Sequence, residues 1–214
     1  MLVKDVMTKN PITVGVKASV LEAKDLMKKN DINKLPVVDK SGNLVGIITE
    51  NDLQRAAPSD ATTLDVYELG YLLNKLTVEK TMVKDVKTVS DKETVEEAAR
   101  IMADGHFGCL PVMEDKLLVG IITDGDLFKM FIEMFNARTA GIRAVINMSD
   151  KSGSLSVFTQ KIAEANGKII SCITTPADDP DHRKVTIKAV DISLDAFFAI
   201  AKLCGDVEDI REIN

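Results

Sequence analysis

Two pairs of side chains place a hydroxyl and a carboxylate three residues apart. Thr49 and Asp52 lie in the stretch Gly-Ile-Ile-Thr-Glu-Asn-Asp-Leu, and Thr123 and Asp126 lie in Gly-Ile-Ile-Thr-Asp-Gly-Asp-Leu. In both stretches a glycine, two β-branched apolar residues and the threonine predict a short buried strand, and the acidic residue that follows predicts the start of a helix. A single strand-to-helix corner of this kind could be explained by helix capping alone, because Thr and Asp are good N-cap residues. Two copies indicate a duplicated module.

The two corners belong to a longer internal repeat. Residues 3–37 match residues 78–112 at an offset of 75, and the offset becomes 74 after the turn around residues 40–43. Each copy carries a predicted capping box, which is Ser19 with Glu22 in the first copy and Thr94 with Glu97 in the second. A helix is therefore predicted to begin at the same place in both copies.

Each copy is predicted to be a β-α-β-β-α unit. The helix that follows the capping box has an apolar stripe at helical spacing, so one of its faces should pack on a sheet. In the first copy the strands at residues 35–38 and 44–49 should pair as a hairpin, and residues 110–123 should do the same in the second.

The segment between the copies has the Pro, Ser and Asp residues of a linker, and residues 64–76 are predicted to be helical. Tyr67 and Tyr71 lie on one face of that helix, where they either pack the helix or stack against a ligand. After the second corner, residues 128–135 contain three of the seven phenylalanines. This stretch is more apolar than one buried helix face requires, so we predict that it contacts another domain or subunit.

The pattern changes after residue 137. Strand and helix periodicity predict a β-α-β-β-α-β order there, in which two helices cover one face of an antiparallel sheet. The predicted domains are a first module at residues 1–57, a linker with a helix at residues 58–76, a second module at residues 77–135 and a third domain at residues 138–214.

The composition argues against several classes of function. A net charge of −6 gives no electrostatic reason to expect nucleic acid or an anionic membrane as a partner. No apolar run approaches the roughly 18 residues that would cross a bilayer, and the first residues lack the apolar core of a signal peptide, so we expect a cytoplasmic protein. Three cysteines without a C-x-x-C spacing and two histidines indicate neither a disulfide framework nor a metal site.

The duplicated modules resemble CBS domains, which occur in tandem pairs called Bateman modules. The resemblance rests on Leu-Pro-Val, the hairpin and Gly-Ile-Ile-Thr-x-x-Asp-Leu, and it covers residues 1 to about 135. Residues 138–214 resemble an ACT domain in their element order and in the loop at residues 149–155. A CBS pair followed by an ACT-like domain resembles the acetoin-utilisation-type family. The implied fold class is α+β, with two CBS units packed as a pair and a ferredoxin-like third domain.

The resemblance implies one ligand site at each corner. In CBS pairs the aspartate of the motif binds the ribose hydroxyls of an adenosine-containing ligand and the threonine lies near its phosphates, which assigns Asp52 with Thr49 and Asp126 with Thr123. A carboxylate can accept two hydrogen bonds from a vicinal diol, and a helix N-terminus favours a phosphate. The alternative is that both pairs only cap helices. The adenine is expected near Thr13, Val14, Leu35, Pro36, Thr88, Val89, Leu110 and Pro111.

The two sites are predicted to differ. Just before Leu-Pro-Val, where many family members carry Arg or His facing a phosphate, this chain has Lys34 in the first module and Cys109 in the second. Lys34 could neutralise a phosphate and Cys109 could not, so we expect a different ligand or affinity at each site. A solvated Lys34 is the alternative.

In the ACT-like domain the resemblance assigns an amino-acid effector to the loop that contains Asp150, Gly153 and Leu155, at a dimer interface. Ser152 stands where many members have a proline before the glycine. Dimerisation without an effector is therefore the alternative for this domain.

These features predict a non-catalytic regulatory sensor. It would bind AMP, ADP, ATP or a related adenosine compound between its CBS domains, as in energy sensing, and transmit a conformational change through a homodimer to a regulated protein. No cofactor is required, although Mg²⁺ could accompany a nucleotide triphosphate. The alternative is a structural or interaction protein without bound nucleotide. An enzyme is not expected, because His106 and Cys109 lack an orienting group and an oxyanion site.

Overall fold

The computed structural model describes residues 1–56 and 75–214. The chain divides into two compact units, Met1–Leu127 and Phe128–Asn214. Most of the predicted linker and interdomain helix, with Tyr67 and Tyr71, lies outside the described residues.

Both copies of the repeat show the predicted β-α-β-β-α order. The first copy contains helix α1 (Val3–Val6), strands β1 (Thr8–Lys9) and β2 (Val14–Gly15), helix α2 (Val20–Asn30), strands β3 (Lys34–Val38) and β4 (Leu44–Thr49), and helix α3 (Glu50–Ala56). The second copy contains helix α4 (Val78–Thr81), strand β5 (Val89–Ser90), helix α5 (Val95–Gly105), strands β6 (Cys109–Glu114) and β7 (Leu117–Thr123), and helix α6 (Asp124–Met134).

Each module has a small mixed sheet. In the first module the order is β2-β3-β4, with β2 and β3 parallel and β3 and β4 forming the predicted antiparallel hairpin. The second module repeats this arrangement with β5, β6 and β7, and β1 is added beside β7. In the first module the apolar stripe of α2 and the inward residues of the hairpin are buried together in one cluster. Burial of this apolar surface is the main stabilising contribution to the module.

The short segment that opens each module packs on the other module. The N–H of Val3 donates to the carbonyl of Glu93 at 2.9 Å, and the N–H of Val78 donates to the carbonyl of Ala18 at 2.8 Å. Both valines are fully buried, and Val78 belongs to the core cluster of the first module. Val78 therefore completes the core of the first module, and both modules lie within the compact unit Met1–Leu127.

This exchange accounts for the glycine that opens each Gly-Ile-Ile-Thr stretch. A Cβ atom at Gly46 would overlap the thioether of Met82 and lie 3.0 Å from the carbonyl oxygen of Val83. At Gly120 a Cβ atom would overlap Met7 and lie 3.1 Å from the carbonyl oxygen of Thr8. Both glycines are therefore needed for the close approach of the exchanged segment.

The first predicted capping box forms and the second forms only in part. The N–H of Glu22 donates to Ser19 Oγ at 3.1 Å, and the N–H of Ser19 donates back to Glu22 Oε2 at 2.7 Å. At the second helix the N–H of Glu97 donates to Thr94 Oγ1 at 3.2 Å, but the carboxylate of Glu97 binds Arg100 instead. The N–H of Thr94 is satisfied by Glu93. The prediction that Glu97 reaches back was wrong, because an arginine one turn later competes for its carboxylate.

Glu22 is expected to make the stability of the protein depend on pH. The backbone N–H of Ser19 and then its hydroxyl lower the pKa of the Glu22 carboxyl, against a smaller effect of burial. A carboxyl with a lowered pKa in the folded state stabilises the protein above its unfolded pKa, and this contribution is lost as the pH falls through the folded value. In urea denaturation, Glu22→Gln should therefore destabilise the protein at neutral pH and have progressively less effect in acid. The control is Glu96→Gln, an exposed position in the first turn of α5; the same pH dependence for both variants would contradict this role.

The second unit has the predicted β-α-β-β-α-β order, and its identification as an ACT-like domain stays a prediction. Its elements are strand β8 (Gly141–Ser149), helix α7 (Ser154–Glu164), strands β9 (Lys168–Pro176) and β10 (His182–Val190), helix α8 (Leu194–Cys204) and strand β11 (Asp206–Ile213). The four strands form an antiparallel sheet in the order β11-β8-β10-β9. Phe158 of α7 and Phe197 of α8 stack in the core with ring centroids 6.4 Å apart.

The apolar stretch after the second corner is helical and exposed. Phe128 has 68% of its surface accessible, and Phe131 and Met134 are also exposed. These residues are spaced three apart and share one face of α6. A contact of this face with another domain or subunit stays a prediction.

Candidate functional site

Each Thr/Asp pair forms a capping box at the corner between a hairpin and a helix. In the first corner Asp52 Oδ2 accepts from the N–H of Thr49 at 2.9 Å and from its hydroxyl at 2.6 Å, and the N–H of Asp52 donates to Thr49 Oγ1 at 3.3 Å. The corresponding distances between Thr123 and Asp126 are 3.0, 2.8 and 3.3 Å. The capping alternative is thus part of the structure. Because a carboxylate has about four acceptor sites, capping by one oxygen does not exclude a ligand at the other.

The hairpin separates core residues from residues of the opposite face. Lys34 lies directly opposite Thr49, and Cys109 lies directly opposite Thr123. Leu35 follows Lys34 in its strand and is fully buried in the core, so its side chain points away from the face of Lys34 and Thr49. Each corner threonine therefore shares its face with the residue that precedes Leu-Pro-Val.

The structure brings the predicted adenine-contacting segments together in both modules. Val14 in β2 lies beside Val37, and Val89 in β5 lies beside Val112. The half-buried threonines precede these strands, and the Leu-Pro-Val strands lie next to them. Six of the predicted residues are buried, and these are Val14, Leu35, Pro36, Val89, Leu110 and Pro111. The buried residues would contact a ligand through their backbone atoms, whereas Thr13 and Thr88 are half-buried.

Lys34 reaches from the first module to the second corner. Its Nζ lies 2.9 Å from the carbonyl oxygen of Gly108 and 2.9 Å from Asp124 Oδ1. The side chain of Lys34 is 16% exposed and that of Asp124 is 55% exposed. Burial alone would raise the pKa of the Asp124 carboxyl, but the hydrogen bond and charge of Lys34 outweigh this effect and lower it. Sequence reasoning singled out Lys34 but missed Asp124, which is the first residue of α6 and matches Glu50 in the first module.

Cys109 cannot supply a positive charge as Lys34 does. Burial raises the pKa of its thiol to about 11, although the charge of Lys34 opposes this shift. The thiol therefore stays protonated at neutral pH, and a protonated thiol is a poor nucleophile. His106 is the left-handed C-cap of α5 and is exposed. The structure thus gives no activated nucleophile at this position.

The predicted effector loop of the second unit lines an open groove. Asp150, Gly153 and Leu155 all border this groove, which has a volume of about 590 Å³. Arg183 also lines it, with Nε 2.9 Å from both carboxylate oxygens of Asp150. Sequence reasoning missed Arg183, because its position beside the loop depends on the pairing of β10 with β8. Gly153 has a φ of +90°, a conformation that side chains of L-residues rarely adopt.

Over residues 1–56 and 75–214 we find no group of three His, Cys, Asp or Glu side chains arranged to hold a metal ion. In the same part of the chain, no helix is both long enough and apolar enough to cross a bilayer.

Two β-α-β-β-α modules that share one unit, each with a Thr-x-x-Asp corner, define a tandem-module protein. The chain belongs to the CBS-domain family, since the CBS domain model matches residues 3–59 and 78–133.

Two relatives illustrate how widely the module pair is used. The L-aspartate semialdehyde sulfurtransferase of Methanocaldococcus jannaschii is 36% identical over 131 residues, which are 61% of this chain but only 23% of that protein. A CBS domain-containing protein of Dictyostelium discoideum is 34% identical over 134 residues, covering 62% of this chain and 92% of that protein. The chain therefore spans less than a quarter of the first relative and nearly all of the second.

Three solved structures are similar to the first part of this chain. The CBS domain pair of protein MJ0100, in complex with 5′-methylthioadenosine and S-adenosyl-L-methionine, has a TM-score of 0.51 and 36% identity, with 61% of this chain and 95% of that chain covered. A Vibrio cholerae protein named for acetoin utilization (AcuB) has a TM-score of 0.54 and 32% identity, with 64% and 95% covered. CBSX2 in complex with AMP has a TM-score of 0.50 and 31% identity, with 61% and 96% covered.

Proposed function

We propose that this protein is a non-catalytic regulatory sensor that binds an adenosine-containing ligand between its two CBS modules. The duplicated corner carries this proposal, because in each copy a threonine hydroxyl is hydrogen-bonded to an aspartate carboxylate and shares its face of the hairpin with the residue that precedes Leu-Pro-Val. The carboxylates of Asp52 and Asp126 would accept hydrogen bonds from the ribose diol, and Thr49 and Thr123 would lie near the 5′ group.

The relatives support a regulatory function over an enzymatic one. The CBS pairs of MJ0100 and CBSX2 are described with adenosine-containing ligands. The sulfurtransferase shares only 23% of its length with this chain, so its activity gives no reason to expect an enzyme here. Mg²⁺ would be relevant only if the ligand is a nucleotide triphosphate.

Transmission would run through a homodimer and the second unit. We assign residues 138–214 to an ACT-like domain on the strand order β11-β8-β10-β9 and on the loop that lines its groove. The exposed Phe128, Phe131 and Met134 are the surface we assign to a subunit contact. Ligand binding shifts such an assembly only if the ligand has different affinities for its two arrangements. The free thiols of the three cysteines suit a reducing cytoplasm.

A thermal-shift screen tests this function. The intact protein is heated with adenosine, AMP, ADP, ATP, S-adenosylmethionine, 5′-methylthioadenosine or NADH, and the guanosine counterparts serve as controls. A ligand at 100 times its dissociation constant stabilises the folded state by roughly 2.7 kcal/mol, so the melting temperature of the protein should rise measurably. No shift with any adenosine compound would instead favour a structural or interaction protein without bound nucleotide.

A further inference from the structure

Asp124 already occupies the N-terminus of α6, where the 5′ group of a ligand at the second corner is expected. Its backbone N–H donates to the carbonyl of Gly108 at 3.2 Å, and its Oδ1 accepts from the N–H of Gly125 at 2.9 Å. The N–H of Asp126 donates to Thr123 Oγ1 at 3.3 Å. The first three N–H groups of the helix are therefore used within the protein, and a side-chain carboxylate binds where an anion would otherwise be favoured.

The nearby positive charge is also engaged. Lys34 Nζ binds the same oxygen of Asp124 and the carbonyl of Gly108, both at 2.9 Å. A phosphate at this corner would meet the carboxylate of Asp124, while the ammonium that could attract it is held in an ion pair with that carboxylate.

The first corner differs at the equivalent positions. Glu50 corresponds to Asp124, and its N–H donates to the carbonyl of Asn33 at 2.9 Å. Cys109 corresponds to Lys34, and its protonated thiol offers no charge to pair with Glu50. The second corner thus has a lysine–carboxylate pair where the equivalent positions of the first corner, Cys109 and Glu50, cannot form one. This pair distinguishes two corners that the repeat would otherwise make alike.

We propose that the ion pair between Lys34 and Asp124 makes the second corner selective for an adenosine compound whose 5′ group carries no phosphate. This inference rests on the proposed function, because it specifies the ligand class of a site that the function assigns. Adenosine is the simplest compound of the class, and AMP is its matched comparison because the two differ by one phosphate.

Isothermal titration with adenosine and with AMP tests the proposal. Binding is measured in the full chain with Asp52→Ala, which leaves the second corner as the assigned site, and Asp52→Asn replaces this variant if its circular dichroism shows that it is not folded. Adenosine is expected to bind about tenfold more tightly than AMP, since one carboxylate a few ångströms from a phosphate has an effect of this order. Adding Asp124→Asn should bring the two affinities close together by strengthening the binding of AMP.

The control is Glu50→Gln in the same background, which removes the equivalent carboxylate of the first corner and should leave the adenosine-to-AMP ratio unchanged. Equal affinities before the Asp124 substitution, or a ratio that Asp124→Asn does not change, would overturn this inference while the proposed function stands. Binding of neither compound to the wild-type chain or to any variant would also overturn this inference, whereas the proposed function fails only if no adenosine compound shifts the melting temperature.

Discussion

Asp52→Ala and Asp126→Ala are each expected to remove one ligand site, so each variant should bind one equivalent less of an adenosine compound than the wild-type protein. The expected loss is complete at the altered corner, because alanine offers no acceptor for the ribose hydroxyls. The double variant should show no ligand-dependent rise in melting temperature, which corresponds to losing roughly 2.7 kcal/mol at each corner for a ligand at 100 times its dissociation constant. Calorimetric stoichiometry and thermal shift measure these effects.

The same substitutions also remove a helix cap, and this second effect has to be separated from the first. Asp52 Oδ2 accepts two hydrogen bonds from Thr49, and Asp126 accepts the equivalent pair from Thr123. Losing such a cap typically costs about 1 kcal/mol without any ligand. Ser19→Ala is the matched control, because Ser19 caps a different helix, α2, through its hydrogen bond with the N–H of Glu22. It should lower the stability by a similar amount and leave ligand binding intact; corner variants that also bind normally would mean that both aspartates only cap helices.

Gly46→Val is expected to destabilise the unit formed by the two modules by about 1–3 kcal/mol or more, as overpacking of a filled interior does. The added side chain would overlap the thioether of Met82, and its Cβ would lie 3.0 Å from the carbonyl oxygen of Val83, which cannot rotate away as a side chain can. Ile47 and Val83 exchange both of their backbone hydrogen bonds at 2.9 Å, so displacing this segment would also weaken that pairing. Urea denaturation measures the change in the free energy of unfolding.

Gly15→Val is the control for the glycine substitution, because a Cβ at Gly15 would meet no atom within 4 Å. Its effect should be small. Combining Gly46→Val with Met82→Ala should recover part of the lost stability, since the methionine is the side chain that the valine overlaps. Strict additivity of the two substitutions would contradict a direct contact between them.

Elements set by neighbouring residues were predicted well. The capping box at Ser19, the apolar stripe of α2 and the hairpin from Leu35 to Thr49 depend on contacts within one module, and the corresponding sequence pattern occurs in both copies. The prediction that the Glu97 carboxylate binds the N–H of Thr94 was wrong for a reason that is also local, since Arg100 competes for this carboxylate. Two acceptable partners for one carboxylate lay within a single turn of helix, and the sequence pattern does not rank them.

Partners that are distant in the chain were not predicted. The Lys34–Asp124 pair joins residues 90 positions apart, and the contact of Arg183 with Asp150 depends on the register of β8 and β10. The sequence identified Lys34 as the residue that makes the two corners unequal, but the predicted partner of its positive charge was a phosphate. In the structure this charge is paired with a carboxylate of the other module.

The sequence alone determined that this chain is a duplicated CBS-type module with a Thr/Asp corner in each copy, because repeat spacing, caps and hairpins are encoded over short stretches. Tertiary structure alone decided that the opening segment of each module packs on the other module, that Gly46 and Gly120 make room for Met82 and Met7, and that Lys34 binds Asp124. These features depend on how two similar surfaces pack against each other. Local residue patterns do not specify such packing, because the contacting residues are far apart in the sequence.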